Sequence, residues 1–180
     1  QFRIIVMAVV LAMSLASCAG GAFGGFPQSP MDITETNVVR TIRYFDEGTL
    51  GPQYEVSFTV PESWVGSFET SQSGSVMAFD LIAENGRRSR IFQIDALSRQ
   101  QFWEQNGSYP TQYSNILNTW DTYFIYYVPI EAFYSGLSQA EYDAITAEIP
   151  NIIDSFIAEE MQDGAVRTML LPAPNSRIVS

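Results

Sequence analysis

Apolar and polar residues alternate through much of the first two thirds of the chain, which is the pattern of half-buried β-strands. In the clearest run, YEVSFTV, the apolar side chains would share one face: Tyr54, Val56, Phe58 and Val60. Comparable runs predict further strands at 38–45, 88–97 and 123–128, and a hairpin at 66–84. The pattern therefore predicts an antiparallel sheet.

The period changes near the C-terminus, where Ser138 and Glu141 have the spacing of a helix capping box. Apolar residues then recur at helical spacing at Ile145, Ile149, Ile152, Ile153, Phe156 and Ile157. Pro150 interrupts this stripe and should kink or restart the helix. We expect a long amphipathic helix in this region.

Together these elements predict an α+β fold, an antiparallel β-sheet with a long C-terminal amphipathic helix packed on one face. The predicted organisation is a leader at 1–17, a flexible tether at 18–36, one α+β domain at 37–161 and a weakly patterned tail at 162–180. The tether is predicted from its content of glycine, proline and serine, which form no regular period.

The N-terminal segment is an apolar run from Ile4 to Ala16 that follows Arg3 and ends in the sequence LASC at 15–18. It closely resembles the signal peptide and lipobox of bacterial lipoproteins. The resemblance implies that residues 1–17 are removed as a signal peptide and that Cys18 carries the lipid. It also implies a protein anchored by that lipid on the extracytoplasmic face of the cell membrane. The alternative is an uncleaved helix that continues through the glycine-rich residues after Cys18 and spans the bilayer.

Composition excludes several kinds of chemistry. The chain has 20 acidic and 9 basic residues, no histidine and a net charge of -11, and every basic residue is arginine. Serine–histidine relays, imidazole metal sites and lysine Schiff bases are therefore impossible, and the negative charge makes nucleic acid an unfavourable partner. One cysteine permits neither an internal disulfide nor a cysteine-rich zinc site. We expect no cofactor and assign no catalytic residue.

Aromatic residues are dense between positions 102 and 127, and four of them are candidates for a surface that binds a protein or a glycan: Trp103, Tyr109, Tyr113 and Trp120. Core packing is the alternative for each of them. Glu104 and Asp121 are the only carboxylates that we consider as an acid–base pair of a carbohydrate-active enzyme, with solvated surface charge as the alternative. Trp64 is expected to close one end of the core.

The segment NGRRSR at 85–90 holds the only cluster of basic residues. It could bind an anion or an acidic partner. We favour a turn whose charges keep an edge strand soluble.

A second resemblance extends over about residues 37–158, with YEVSFTVPESW followed by VMAFDLIA, IFQIDAL, TYFIYYVPI and IPNIIDSF. This order resembles small secreted proteins of Gram-positive bacteria and, more distantly, PsbP-like domains. It implies an α/β/α sandwich and transfers no catalytic residue. We therefore expect a lipid-anchored extracytoplasmic lipoprotein that binds or scaffolds a partner. The alternatives are a carbohydrate-binding or carbohydrate-active protein and a membrane-complex subunit with an uncleaved N-terminal helix.

Overall fold

The computed structural model describes residues 28–105, 113–129, 137–162 and 165–167 of the chain. The predicted leader, Cys18 and Tyr109 lie outside the described residues. The first described element, β1 (Gln28–Asp32), falls inside the range that the sequence predicts as tether and pairs with a strand of the main sheet.

The larger sheet has six antiparallel strands. Strands are numbered in chain order. From one edge of this sheet to the other they are β1, β6 (Phe68–Ser73), β7 (Val76–Ile82), β8 (Arg88–Ser98), β10 (Thr122–Tyr127) and β9 (Tyr113–Asn118). The predicted hairpin at 66–84 is confirmed as β6 and β7, with Gly74 at positive φ in its turn.

The smaller sheet has four strands in the order β12 (Ala165–Arg167), β11 (Ile157–Gln162), β5 (Gln53–Thr59) and β2 (Asn37–Ile42). A separate short hairpin consists of β3 (Phe45–Asp46) and β4 (Thr49–Leu50). The helices of the described part are a 3-10 turn at Glu62–Trp64, α1 (Arg99–Gln105), α2 (Gln139–Thr146) and α3 (Ile149–Asp154).

The two sheets pack face to face, and aromatic rings form much of the layer between them. Phe58 of β5 meets Phe79 of β7, and Tyr54 of β5 meets Phe124 of β10, each pair with ring centroids 5.2 Å apart. The buried face predicted for residues 54–60 is confirmed. Trp64 is 2% exposed and stacks on Phe68 at 4.0 Å, as expected of a residue that closes the core.

The predicted α+β fold with a long C-terminal helix is wrong, and so is the PsbP-like α/β/α sandwich. The described chain is mainly β. The capping box at Ser138 is confirmed, but α2 ends at Thr146. A second short helix, α3, then begins with Pro150 in its first turn, as predicted for a proline that restarts the helix. After α3, Ser155 accepts a hydrogen bond from the Thr59 amide at 2.8 Å, and the chain continues as a strand.

That strand, β11, explains why the helical pattern was misleading. Its sequence IAEEMQ is rich in residues that favour helices. In the fold these residues instead pair antiparallel with β5, from Ile157 opposite Ser57 to Met161 opposite Gln53. The pairing satisfies backbone groups on one side of β5, so a tertiary contact overrides local propensity.

The outer face of the larger sheet, which points away from the smaller sheet, carries buried polar residues. Asp95 of β8 is 6% exposed and lies between Val76 of β7 and Ile125 of β10 in the strand register. The Gln93 side-chain amide donates to Asp95 Oδ1 at 3.4 Å and also contacts the Tyr127 hydroxyl. Strand β8 is therefore buried on both faces along most of its length.

Candidate functional site

A cleft of about 490 Å³ opens where three segments that are distant in sequence meet. The first segment is Tyr44 and the β3–β4 hairpin that follows it, the second is the start of α1, and the third is the turn between β9 and β10. The lining residues are Tyr44, Asp46, Glu47, Thr49, Ser98, Arg99, Gln100, Trp120 and Asp121. Concave sites that combine aromatic and polar side chains are typical of small-ligand binding.

Trp120 lies on the β9–β10 turn and is 71% exposed. Hydrogen bonds fix the turn around it. The Thr119 amide donates to the Thr122 carbonyl at 2.8 Å, and the Thr122 amide donates to Thr119 Oγ1 at 3.1 Å. The Arg99 amide donates to the Asp121 carbonyl at 3.0 Å, which joins this turn to α1. The exposed indole is thus carried by a well-connected backbone.

The side chain of the next residue, Asp121, is positioned by hydrogen bonds from a buried tyrosine and from two threonines of the turn. Its Oδ1 accepts hydrogen bonds from the Tyr54 hydroxyl at 3.1 Å, from Thr119 Oγ1 at 3.0 Å and from Thr122 Oγ1 at 2.9 Å. Burial, with a smaller contribution from the Asp121 charge, raises the pKa of Tyr54 to about 12. Tyr54 therefore stays protonated and can donate to Asp121 over the physiological pH range.

The β3–β4 hairpin forms another wall of the cleft, and Ser98 joins it to the start of α1. The Ser98 hydroxyl donates to the Asp46 carboxylate. It also accepts from the Gln101 amide at 3.0 Å, while the Ser98 amide donates to Gln101 Oε1 at 3.0 Å. This is a capping box, and Gln101 Nε2 further donates to the Phe45 carbonyl at 2.7 Å. The hairpin and the helix consequently form one connected wall.

The hairpin turn has an unusual backbone at its tip. Glu47 has φ 44° and Gly48 has φ 86°, which suits a tight turn between antiparallel strands but strains a glutamate. At the base of the hairpin, Gly51 leaves room for the Tyr44 ring, which a methyl group at that position would overlap. Burial and then the charges of Asp121 and Asp46 raise the pKa of Tyr44, so its hydroxyl remains a hydrogen-bond donor.

The predicted aromatic candidates separate in the structure. Trp120 lines the cleft, whereas Trp103 is 61% exposed on α1 and is not among the lining residues. Phe102 of α1 meets Trp103 edge-on at 5.4 Å and Tyr113 edge-on at 6.1 Å, and it stacks on Tyr123 at 4.2 Å. Trp103 and Tyr113 therefore share an aromatic group that is separate from the cleft lining at Trp120.

The predicted carboxylate pair is also divided. Asp121 lines the cleft, but Glu104 is an exposed α1 residue whose Oε1 accepts a hydrogen bond from Gln100 at 2.8 Å. Sequence reasoning missed the contribution of Tyr44 and of the β3–β4 hairpin to the cleft. The segment 98–110, which the sequence pattern predicts as a short helix followed by a loop, does contain α1, and the Ser-x-x-Gln spacing from Ser98 to Gln101 marks where that helix begins.

The arginines of the segment 85–90 have structural partners. Arg88 pairs with Glu69, and Arg90 Nε lies 3.2 Å from Asp80 Oδ1. Strand β8 pairs with β7 beside these arginines, whereas its pairing with β10 begins only at Gln93. In the described sheet Arg88 and Arg90 therefore lie on a part of β8 with a partner strand on one side, which agrees with the interpretation of these charges as protection of an edge. They also balance carboxylates that are themselves almost fully buried.

Comparisons of the chain with protein-family models, curated proteins and solved structures found no match. Among the described residues, no cluster of three or more acidic, cysteine or histidine side chains is arranged to hold a metal ion. No helix in the same described ranges combines the length and apolar character needed to cross a membrane.

Proposed function

We propose that this chain is a lipid-anchored extracytoplasmic lipoprotein whose β domain binds a small ligand in the cleft at Trp120. One observation carries the binding function. An indole that is 71% exposed stands on a hydrogen-bonded turn beside a polar cleft of about 490 Å³. Exposing an indole leaves a large apolar surface in water, and a ligand that covers it removes that cost.

The connections of the cleft walls support this function. Both Asp46 and Asp121 are held by side chains that belong to other elements, Ser98 in the first case and Tyr54 in the second. Such fixed groups lose little conformational entropy when a ligand binds. The absence of histidine and lysine from the sequence favours binding over acid–base or covalent catalysis at neutral pH.

The anchoring part of the proposal is supported by LASC at 15–18 and its apolar leader. It is tested by expressing the full chain in a bacterial host and determining the mass of the mature N-terminal peptide. The expected product begins at acylated Cys18 and is found in the membrane fraction, and Cys18→Ser should abolish both acylation and cleavage. A free thiol at Cys18, or an intact residue 1, would contradict the lipoprotein assignment, and the intact form would favour the uncleaved helix.

The binding part is tested separately with the purified protein and a panel of small polar metabolites and oligosaccharides, using calorimetry. We expect at least one ligand whose affinity falls in Trp120→Ala and is unchanged in Trp103→Ala. The second variant removes an equally large exposed indole outside the cleft. Equal affinities of both variants for every ligand that binds would refute the assignment of the cleft.

A carbohydrate is a second candidate for the same cleft. The flat indole of Trp120 suits the apolar face of a sugar ring, and the carboxylates of Asp46 and Asp121 can accept hydrogen bonds from hydroxyl groups. The oligosaccharides in the panel test this candidate directly.

A further inference from the structure

We propose that the ligand of this cleft carries a positively charged amine, either protonated or quaternary, which binds against the face of the Trp120 indole. The inference rests on the proposed binding function and names the chemical class of the ligand. It is drawn from the cavity, its aromatic side chains and its charges taken together.

The first observation is the balance of charge around the cavity. Among the described residues of the lining, Asp46, Glu47 and Asp121 are acidic and Arg99 alone is basic, so three negative charges and one positive charge give -2. The whole chain has a net charge of -11. Clefts lined by one sign of charge concentrate ligands of the opposite sign, so a cation is attracted and an anion is repelled.

The second observation is the ring that accompanies these carboxylates. Tryptophan has the most favourable ring for a cation–π contact, and Trp120, which is 71% exposed, lines the cleft. Tyr44 supplies a second aromatic ring to the lining. Aromatic rings with carboxylates nearby are the arrangement that recognises ammonium groups, whereas a neutral ligand would gain from the rings and not from the charges.

The third observation concerns which acceptor groups are already engaged. Asp121 Oδ1 accepts three hydrogen bonds, and Asp46 accepts one from Ser98. These bonds orient the carboxylates without neutralising them, because each donor is a neutral hydroxyl. Both negative charges therefore remain to act on a bound cation.

The proposal is tested by calorimetric titration of the full chain with choline and with its neutral isostere, in which a carbon atom replaces the quaternary nitrogen. We expect choline to bind about tenfold or more tightly than the isostere, and its affinity to fall as salt is raised. Equal binding of the two compounds, or no binding of choline at millimolar concentration by the folded protein, would overturn the proposal.

Variants assign the effect to the cleft. Trp120→Ala should weaken choline binding about tenfold, and Glu47→Gln, at the exposed hairpin tip, should weaken it severalfold. Trp103→Ala and Glu104→Gln change an exposed ring and an exposed acid outside the lining and should bind as the unmodified chain does. Choline affinity that survives Trp120→Ala would refute this site.

Titration with neutral sugars distinguishes failure of the cationic-ligand proposal from failure of the proposed binding function. If a neutral sugar binds, loses affinity in Trp120→Ala and is not displaced by choline, then the cleft is a binding site but its ligand is not cationic. If neither choline nor any ligand of the panel depends on Trp120, then the proposed function fails as well.

Discussion

Replacing the buried carboxylate of Asp95 by an amide should make the protein more stable at neutral pH and barely change it in acid. Asp95 is 6% exposed between Val76 and Ile125, and its Oδ1 accepts a hydrogen bond from the Gln93 side-chain amide at 3.4 Å. Burial, opposed by that hydrogen bond, raises the pKa of Asp95 from 3.8 to about 6. The folded protein therefore holds this proton more tightly than the unfolded chain.

The sign of the pH effect follows from this difference in proton binding. Below the unfolded pKa both states are protonated, and the carboxyl has no effect on the pH dependence. Between pH 3.8 and about 6 the unfolded chain ionises first, so stability falls as the pH rises. A pKa difference of about two units corresponds to roughly 3 kcal/mol, which is the destabilisation expected above this range.

Asp95→Asn keeps an oxygen that can accept the Gln93 hydrogen bond and removes the ionisation. The free energy of unfolding should be measured in urea for both proteins across pH. The difference, variant minus unmodified chain, should rise from below about 1 kcal/mol near pH 4 to about 3 kcal/mol above pH 7. Any packing change caused by the amide adds a constant offset and leaves this slope intact.

Glu104→Gln, which alters an exposed carboxylate, serves as the control and should show no comparable slope. A difference between Asp95→Asn and the unmodified chain that is independent of pH, or that falls as the pH rises, would refute the reasoning. Either result would mean that Asp95 is well solvated or strongly paired in the folded protein.

Three further substitutions test other parts of the structure. Glu47→Asn should raise the free energy of unfolding by about 1 kcal/mol, because asparagine tolerates the positive φ at this position, and should weaken choline binding as the charge is lost; reduced stability would contradict the strained turn. Gly51→Ala should displace the Tyr44 ring and weaken ligand binding at the cleft, which unchanged calorimetric affinity would disprove. Arg88→Ala should lower the Tm more than Arg87→Ala, because only Arg88 pairs with a buried carboxylate; equal Tm values would show that this ion pair contributes nothing.

Local patterns in the sequence predicted several elements correctly because the burial period of a strand and the cap of a helix are both recorded in neighbouring residues. Alternation in residues 54–60 identified the buried face of β5, and the Ser138–Glu141 spacing located the start of α2. The overall class was wrong because β11 consists of residues with high helix propensity. Its strand conformation depends on pairing with β5, about a hundred positions earlier in the chain.

The cleft could be predicted only in part for a similar reason. Trp120 and Asp121 attract notice because they stand in an aromatic-rich stretch. Tyr44 and Asp46 have no local signal, since they reach the cleft only when the β3–β4 hairpin docks on the start of α1. The same docking leaves Trp103 outside the lining, although it is as conspicuous as Trp120 in the sequence.

The most direct test of the account is whether a ligand contacts Trp120. The chain has three tryptophans, and each indole N–H gives one signal in a proton–nitrogen NMR spectrum. The Trp120 signal is identified by its loss in Trp120→Phe and is then followed during titration with choline. We expect a saturable shift of the Trp120 signal, with the signals of Trp64 and Trp103 unchanged. A spectrum in which Trp120 does not move, or in which only Trp103 moves, would contradict the central claim.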